Sequence, residues 1–130
     1  MDVLLDTHAW VWTLWDDPRL SDAARDTLAR ADSVRVSPVS FFEIGQKVRV
    51  GKWPEMEPHL AALPDRLREQ GGQTADLTIE AALLAASLDW PHRDPFDRLL
   101  AATALSADLT LVSADTMFDT LEVPALRRVW

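Results

Sequence analysis

Short apolar segments alternate with helical patterns along the whole chain, and this alternation narrows the possible folds more than any other feature. VLL at residues 3–5, SVRV at 33–36, the QT-containing turn region GGQTADLT, TLVS at 110–113 and RRVW at the C-terminus each suit a short strand. Between them lie segments of helical character. These are Thr7–Trp15, SDAARDTLARA opened by Ser21, SFFEIGQKVRVG closed by Gly51, IEAALLAASL and PFDRLLAATALSA. MEPHLAALPDRLREQ reads as a helix interrupted at Pro58 and Pro64, and SADTMFDTL as a short helix or turn. Strands that alternate with helices form parallel sheets whose two faces are both covered. The expected architecture is a three-layer α/β sandwich over residues 1–130, in one domain.

Composition agrees with one core and narrows the chemistry. With 130 residues and 48% apolar side chains, the chain can bury a substantial core but not two comfortable ones. It has no cysteine, which excludes disulfides, thiolate metal sites and cysteine nucleophiles. MDVLLDTHAW has aspartates around a short apolar run and no basic flank, so it reads as neither signal peptide nor membrane span, and a cytoplasmic location is expected. A net charge of -8 argues against a simple basic nucleic-acid binder. Carboxylates also hold hard divalent cations, so the positions of the acids matter.

In an open parallel sheet, ligands bind beyond the carboxyl ends of the strands. Asp6 directly follows VLL, and Asp115 stands just beyond TLVS. Glu43 is expected in the first turn of the helix after SVRV, and Asp97 in the first turn of PFDRLLAATALSA. Each acid has an ordinary structural explanation. Ser40 and Glu43 have the spacing of a capping box, Asp115 suits a cap, and Asp94 with Pro95 is a good helix start. Asp6 resists this treatment, since an acid that closes an apolar strand is partly buried and needs a partner. All four acids project from one rim, which capping alone does not require.

LLDTHAW, SFFEIGQKVRVGKW, HRDPFDRLLAATA and TLVSAD, in this order and at these intervals, resemble the PIN-domain ribonucleases, specifically the VapC-type toxins of toxin-antitoxin pairs. The likeness covers almost the whole chain. It implies a five-stranded parallel sheet and metal-dependent cleavage of RNA with Mg²⁺ or Mn²⁺, leaving 5′-phosphate and 3′-hydroxyl ends. It also implies inhibition by a cognate antitoxin protein, and it places the acidic quartet on Asp6, Glu43, Asp97 and Asp115.

Carboxylate-held metal can hydrolyse a phosphodiester without a catalytic histidine. Lys47, Arg49, Lys52, Arg93 and Arg98 are candidate phosphate contacts, although a solvated helix face explains the first three equally well, and Arg98 could instead pair with a neighbouring aspartate. His8, His59 and His92 lack zinc-site spacing and read as surface or capping residues. Trp10, Trp12 and Trp15 make the first helix apolar almost all round, which favours a partner surface, either a homodimer mate or an antitoxin helix. Two alternatives remain: a receiver-like phosphoacceptor module, which would want paired acids after its first strand, and a catalytically silent PIN fold that only binds protein.

Overall fold

The computed structural model describes residues 1–130. Five strands form one parallel sheet: β1 (Asp2–Leu5), β2 (Ser33–Val36), β3 (Gln73–Thr74), β4 (Thr110–Val112) and β5 (Arg128–Val129), in the order β3-β2-β1-β4-β5. The helices are α1 (Thr7–Leu14), α2 (Asp22–Arg30), α3 (Pro38–Arg49), α4 (Leu63–Glu69), α5 (Ile79–Ser87) and α6 (Pro95–Ala107). Two 3₁₀ segments, Pro54–Ala62 and Thr116–Thr120, complete the chain. A receiver-like fold would order its strands 2-1-3-4-5, so the observed order removes that alternative.

Side-chain alternation along β1 explains the three layers. Val3 and Leu5 point into one core, with Trp10 and Leu14 of α1, Ile44 of α3 and Leu63 and Leu67 of α4. Leu4 points the other way, onto Leu100, Ala101 and Ala104 of α6 and Phe118. On β4 the same alternation sends Val112 to the first core and Leu111 to the second. Each fully buried aliphatic side chain contributes about 1.5–3 kcal/mol. Trp10 also donates its indole N–H to Gln70 Oε1 at 3.0 Å, so its polar edge is satisfied.

Most helix starts follow their capping residues. Ser21 accepts from the Ala24 amide, Thr78 from that of Ala81, and Asp94 from those of Phe96 and Asp97. The expected start of α3 is corrected. Ser37 is its N-cap and Pro38 opens the helix, because proline lacks only an N–H that the first turn does not use. Ser40 therefore lies inside the helix and forms no capping box, and Glu43 sits beyond the first turn. Gly51, at φ 78°, follows the end of α3, where a left-handed residue is needed. The stretch around Pro58 and Pro64 is a 3₁₀ segment followed by the short α4 rather than one broken helix. No helix is long and apolar enough to cross a membrane.

Candidate metal centre

The strand order puts β1 and β4 side by side at the middle of the sheet, so the residues that leave their carboxyl ends meet. Asp6 follows β1 as the N-cap of α1, accepting from the Ala9 amide at 2.7 Å. Ser113 follows β4, is fully buried, and donates its hydroxyl to Asp6 Oδ2. The same serine oxygen accepts from the Asp115 amide at 3.0 Å. Asp115 in turn caps the second 3₁₀ segment through the Met117 amide. Ser113 thus ties two of the acids together, and neither motif nor spacing singled it out.

Glu43 reaches the cleft from the second turn of α3 and is buried. The Thr7 hydroxyl donates to its Oε1 at 2.6 Å and lies 2.9 Å from Ser40 Oγ. Lys47 donates to its Oε2 at 2.7 Å. Thr7 is the second residue that sequence reasoning passed over. Its position directly after Asp6 at the end of an apolar strand is the one feature that could have drawn attention to it.

The third wall is the start of α6. Asp97 Oδ2 lies 2.6 Å from His92 Nε2, and both side chains are largely shielded. One ligand atom from each of His92, Asp94 and Asp97 falls within 4.8 Å of the others. His92 is therefore not a plain surface or capping residue as its lack of zinc spacing suggested. The preceding loop folds it back onto the helix that follows. Asp94 both caps α6 and lines the cleft.

Together Asp6, Glu43, Asp94, Asp97 and Asp115 surround a cleft of about 350 Å³, with Thr7 and Lys47 also in its wall. All four acids of the expected quartet are present there. Burial pushes the Asp6 carboxyl above the usual carboxylate range, against the opposing hydrogen bonds from Ser113 and Ala9. Asp97 is pushed up to about 6, chiefly by burial; the hydrogen bond from His92 opposes this, while the negative charges of Asp94 and Asp115 add to it. No lysine or arginine pairs with Asp6, Asp94, Asp97 or Asp115. Crowded carboxylates without cationic partners, and oxygen donors with one imidazole, suit a hard or borderline divalent cation.

The candidate phosphate contacts separate. Arg49, Lys52 and Arg93 are exposed and carry no ion pair, whereas Lys47 is held by Glu43. Arg98 is a correction. Its guanidinium donates to the backbone carbonyls of Ala85, Leu88, Trp90 and His92, at 2.7–3.0 Å, so it faces neither phosphate nor aspartate. Of the three tryptophans in the first helical stretch, Trp10 is core, Trp12 packs against Trp130 with ring centroids 5.5 Å apart, and Trp15 is 46% exposed.

A family model described as PIN domain matches residues 3–123. Ribonuclease VapC22 of Mycobacterium tuberculosis is 30% identical over 131 residues, covering 98% of both chains. Among solved structures, DNA-bound VapBC from Salmonella typhimurium superimposes with a TM-score of 0.70 at 18% identity, covering 98% of this chain and 96% of that one. VapBC2 from Rickettsia felis, bound to a DNA fragment from its promoter, gives a TM-score of 0.68 at 19% identity, covering 98% and 97%. These two likenesses bear on the fold.

Proposed function

Because the chain belongs to the PIN domain family, we infer that it is a metal-dependent endoribonuclease, acting as the toxin of a toxin-antitoxin pair and built as one PIN-like domain over residues 1–130. The observation that carries this reading is the convergence of five carboxylates, drawn from four separate chain segments, on one cleft beyond the sheet. Its relatives include a named ribonuclease and toxin-antitoxin assemblies, which support the RNA substrate and the antitoxin partner.

Asp6, Glu43, Asp97 and Asp115 would hold Mg²⁺ or Mn²⁺, with Asp94 and His92 beside them. A divalent cation held there supplies the Lewis acidity that hydrolysis of a phosphodiester by water requires. The chain's own groups set the stage. Ser113 and the Ala9 amide fix the Asp6 carboxylate, Thr7 and Lys47 fix that of Glu43, and His92 fixes that of Asp97. Arg49, Lys52 and Arg93, exposed and without ion pairs, remain available to RNA phosphates. With water as the nucleophile the 2′-hydroxyl need not react, and the resemblance to the family implies that the 3′ oxygen leaves, giving products with 5′-phosphate and 3′-hydroxyl ends.

A panel of fluorophore-quencher RNA oligonucleotides, incubated in Mg²⁺, Mn²⁺ or EDTA, tests the reading. Cleavage that requires metal and disappears in both Asp6→Asn and Asp97→Asn supports it. Equal cleavage by all three preparations marks a contaminant. Absence of cleavage by a folded wild-type protein across the panel favours the silent, protein-binding alternative.

A further inference from the structure

The acids of the cleft fall into two groups that the chain treats differently. On one side every carboxylate oxygen already accepts a hydrogen bond, Asp6 from the Ala9 amide and Ser113, and Glu43 from Thr7 and Lys47. The ion pair with Lys47 also neutralises Glu43. The start of α6 is different. Asp94 Oδ1 accepts from the Phe96 and Asp97 amides, and Asp97 Oδ2 faces His92 Nε2, while Asp94 Oδ2 and Asp97 Oδ1 accept nothing from the protein.

The imidazole is the informative member of this second group. The loop that carries it is held through its backbone, because Arg98 donates to the carbonyls of Leu88, Trp90 and His92. The His92 side chain is therefore not needed to fix the loop, yet it is only 18% exposed and packs against the Trp90 ring with centroids 4.9 Å apart. Trp90 is itself anchored by its indole N–H on Thr120 Oγ1 at 2.8 Å. A firmly backed ring that turns one nitrogen toward carboxylates has the orientation that a metal-binding histidine needs. One ligand atom from each of His92, Asp94 and Asp97 lies within 4.8 Å of the other two. Donors about 2.0–2.2 Å from an octahedral cation lie roughly 3–4.4 Å from one another, so little closure is needed for the three to serve one ion. In the metal-free chain a proton lies between His92 Nε2 and Asp97 Oδ2. A cation there would replace it, leaving the other imidazole proton on Nδ1.

We propose that His92, Asp94 and Asp97 form a mixed nitrogen–oxygen subsite for a first-row transition cation, held in preference to Mg²⁺. This rests on the metal-dependent reading of the cleft and adds to it a nitrogen ligand outside the four expected acids, and with it a metal preference. The preference follows from the donors. Mg²⁺ favours oxygen and gives up its waters reluctantly, whereas imidazole suits the transition ions, whose affinity rises from Mn²⁺ through Co²⁺ to Ni²⁺. Asp97 then serves both groups of acids, and Asp94 is a ligand as well as a cap.

The test reads the ligand directly. Mn²⁺ is added to the full chain without RNA, and its hyperfine coupling to nitrogen is measured by pulsed EPR in wild type, His92→Gln and His8→Ala. His8 is the other histidine in the cleft wall, and glutamine keeps a donor for Asp97 without an imidazole. Calorimetry with Co²⁺ and with Mg²⁺ gives the ratio of the two affinities, and thermal melts check folding. The expected result is a nitrogen coupling in wild type and His8→Ala that His92→Gln lacks, with a Co²⁺-to-Mg²⁺ affinity ratio lowered roughly 10- to 100-fold in His92→Gln. A residue that merely supported the loop would lower both affinities alike. If His92→Gln does not fold, the couplings of wild type and His8→Ala still decide. Bound Mn²⁺ without nitrogen coupling, a coupling lost in His8→Ala or kept in His92→Gln, or an unchanged affinity ratio overturns the subsite and leaves the carboxylate centre standing. Failure of wild type to bind Mn²⁺ at all overturns both. Coupling from His92 in a protein that cleaves no RNA supports the subsite and removes the nuclease alone.

Discussion

Arg98 stands next to Asp97 in sequence but turns its guanidinium toward four backbone carbonyls of the α5 end and the loop that follows it. That loop carries His92 and leads to Asp94, so a residue that looked suited to RNA instead holds one wall of the site. Arg98→Lys keeps the charge but lacks the planar fork and most of its donors. It should lose on the order of 2–3 kcal/mol in urea denaturation, since buried carbonyls lose their donors. Mn²⁺ affinity, measured by calorimetry, should fall with it. Asp97 supplies a pH prediction. Its carboxyl titrates at about 6 in the folded, metal-free chain against 3.8 in the unfolded one, so the folded state holds the extra proton between those values. Its contribution to stability is therefore greatest at low pH and is lost as pH rises from about 4 to about 6. Asp97→Asn should remove this slope, seen as a pH-dependent difference between the denaturation curves of wild type and variant in EDTA. A common offset at every pH would contradict it. Metal affinity should move the opposite way in wild type, rising across the same interval as the proton leaves.

The beginning of α6 was legible as a helix start from HRDPFD, and Asp94 does cap it. The same turn also aims Asp97 and brings His92 back to it, which residue spacing could not disclose because a loop rather than a helix makes that approach. Two substitutions separate these jobs. Asp94→Asn keeps a capping oxygen and removes the charge, so it should leave stability nearly unchanged while weakening Mn²⁺ binding. Asp94→Ala should lose about 1 kcal/mol in addition. Equal metal affinity in wild type and Asp94→Asn would reduce Asp94 to a cap. On α3 the sequence misled for a physical reason. The Ser40–Glu43 spacing pointed to a start at Ser40, but proline is well accommodated at the first helical position, so the helix opens at Pro38 and Ser37 supplies the cap.

At the scale of the molecule, both faces of the sheet are covered, yet one outer surface keeps apolar side chains in water. Phe42 on α3 is 64% exposed, and Ile79 and Leu83 on α5 are 76% and 67% exposed. Phe42, Leu77, Pro95, Phe96 and Leu99 line an adjoining groove of about 680 Å³. At the first helical stretch, where a partner surface was expected, Trp10 is buried, Trp12 packs against Trp130 and Trp15 stays exposed, so α3 and α5 present a second and larger group of exposed apolar side chains. If this surface joins two copies in the homodimer expected from the sequence, Phe42→Ser with Leu83→Asp should convert a dimer to a monomer in light scattering, without lowering the melting temperature of the isolated fold. An unchanged mass would assign the surface elsewhere. The strand–helix alternation was enough to derive the layered parallel sheet, because side-chain periodicity and apolar run length are local properties. It was also enough to bring the four acids to one rim, because parallel topology sends every strand's carboxyl end the same way. Folding alone revealed the Ser113 bridge, the Thr7–Glu43 contact, the return of His92 and the inward turn of Arg98. Each depends on which strands are neighbours and how a loop closes, and those are long-range consequences of burying two cores at once.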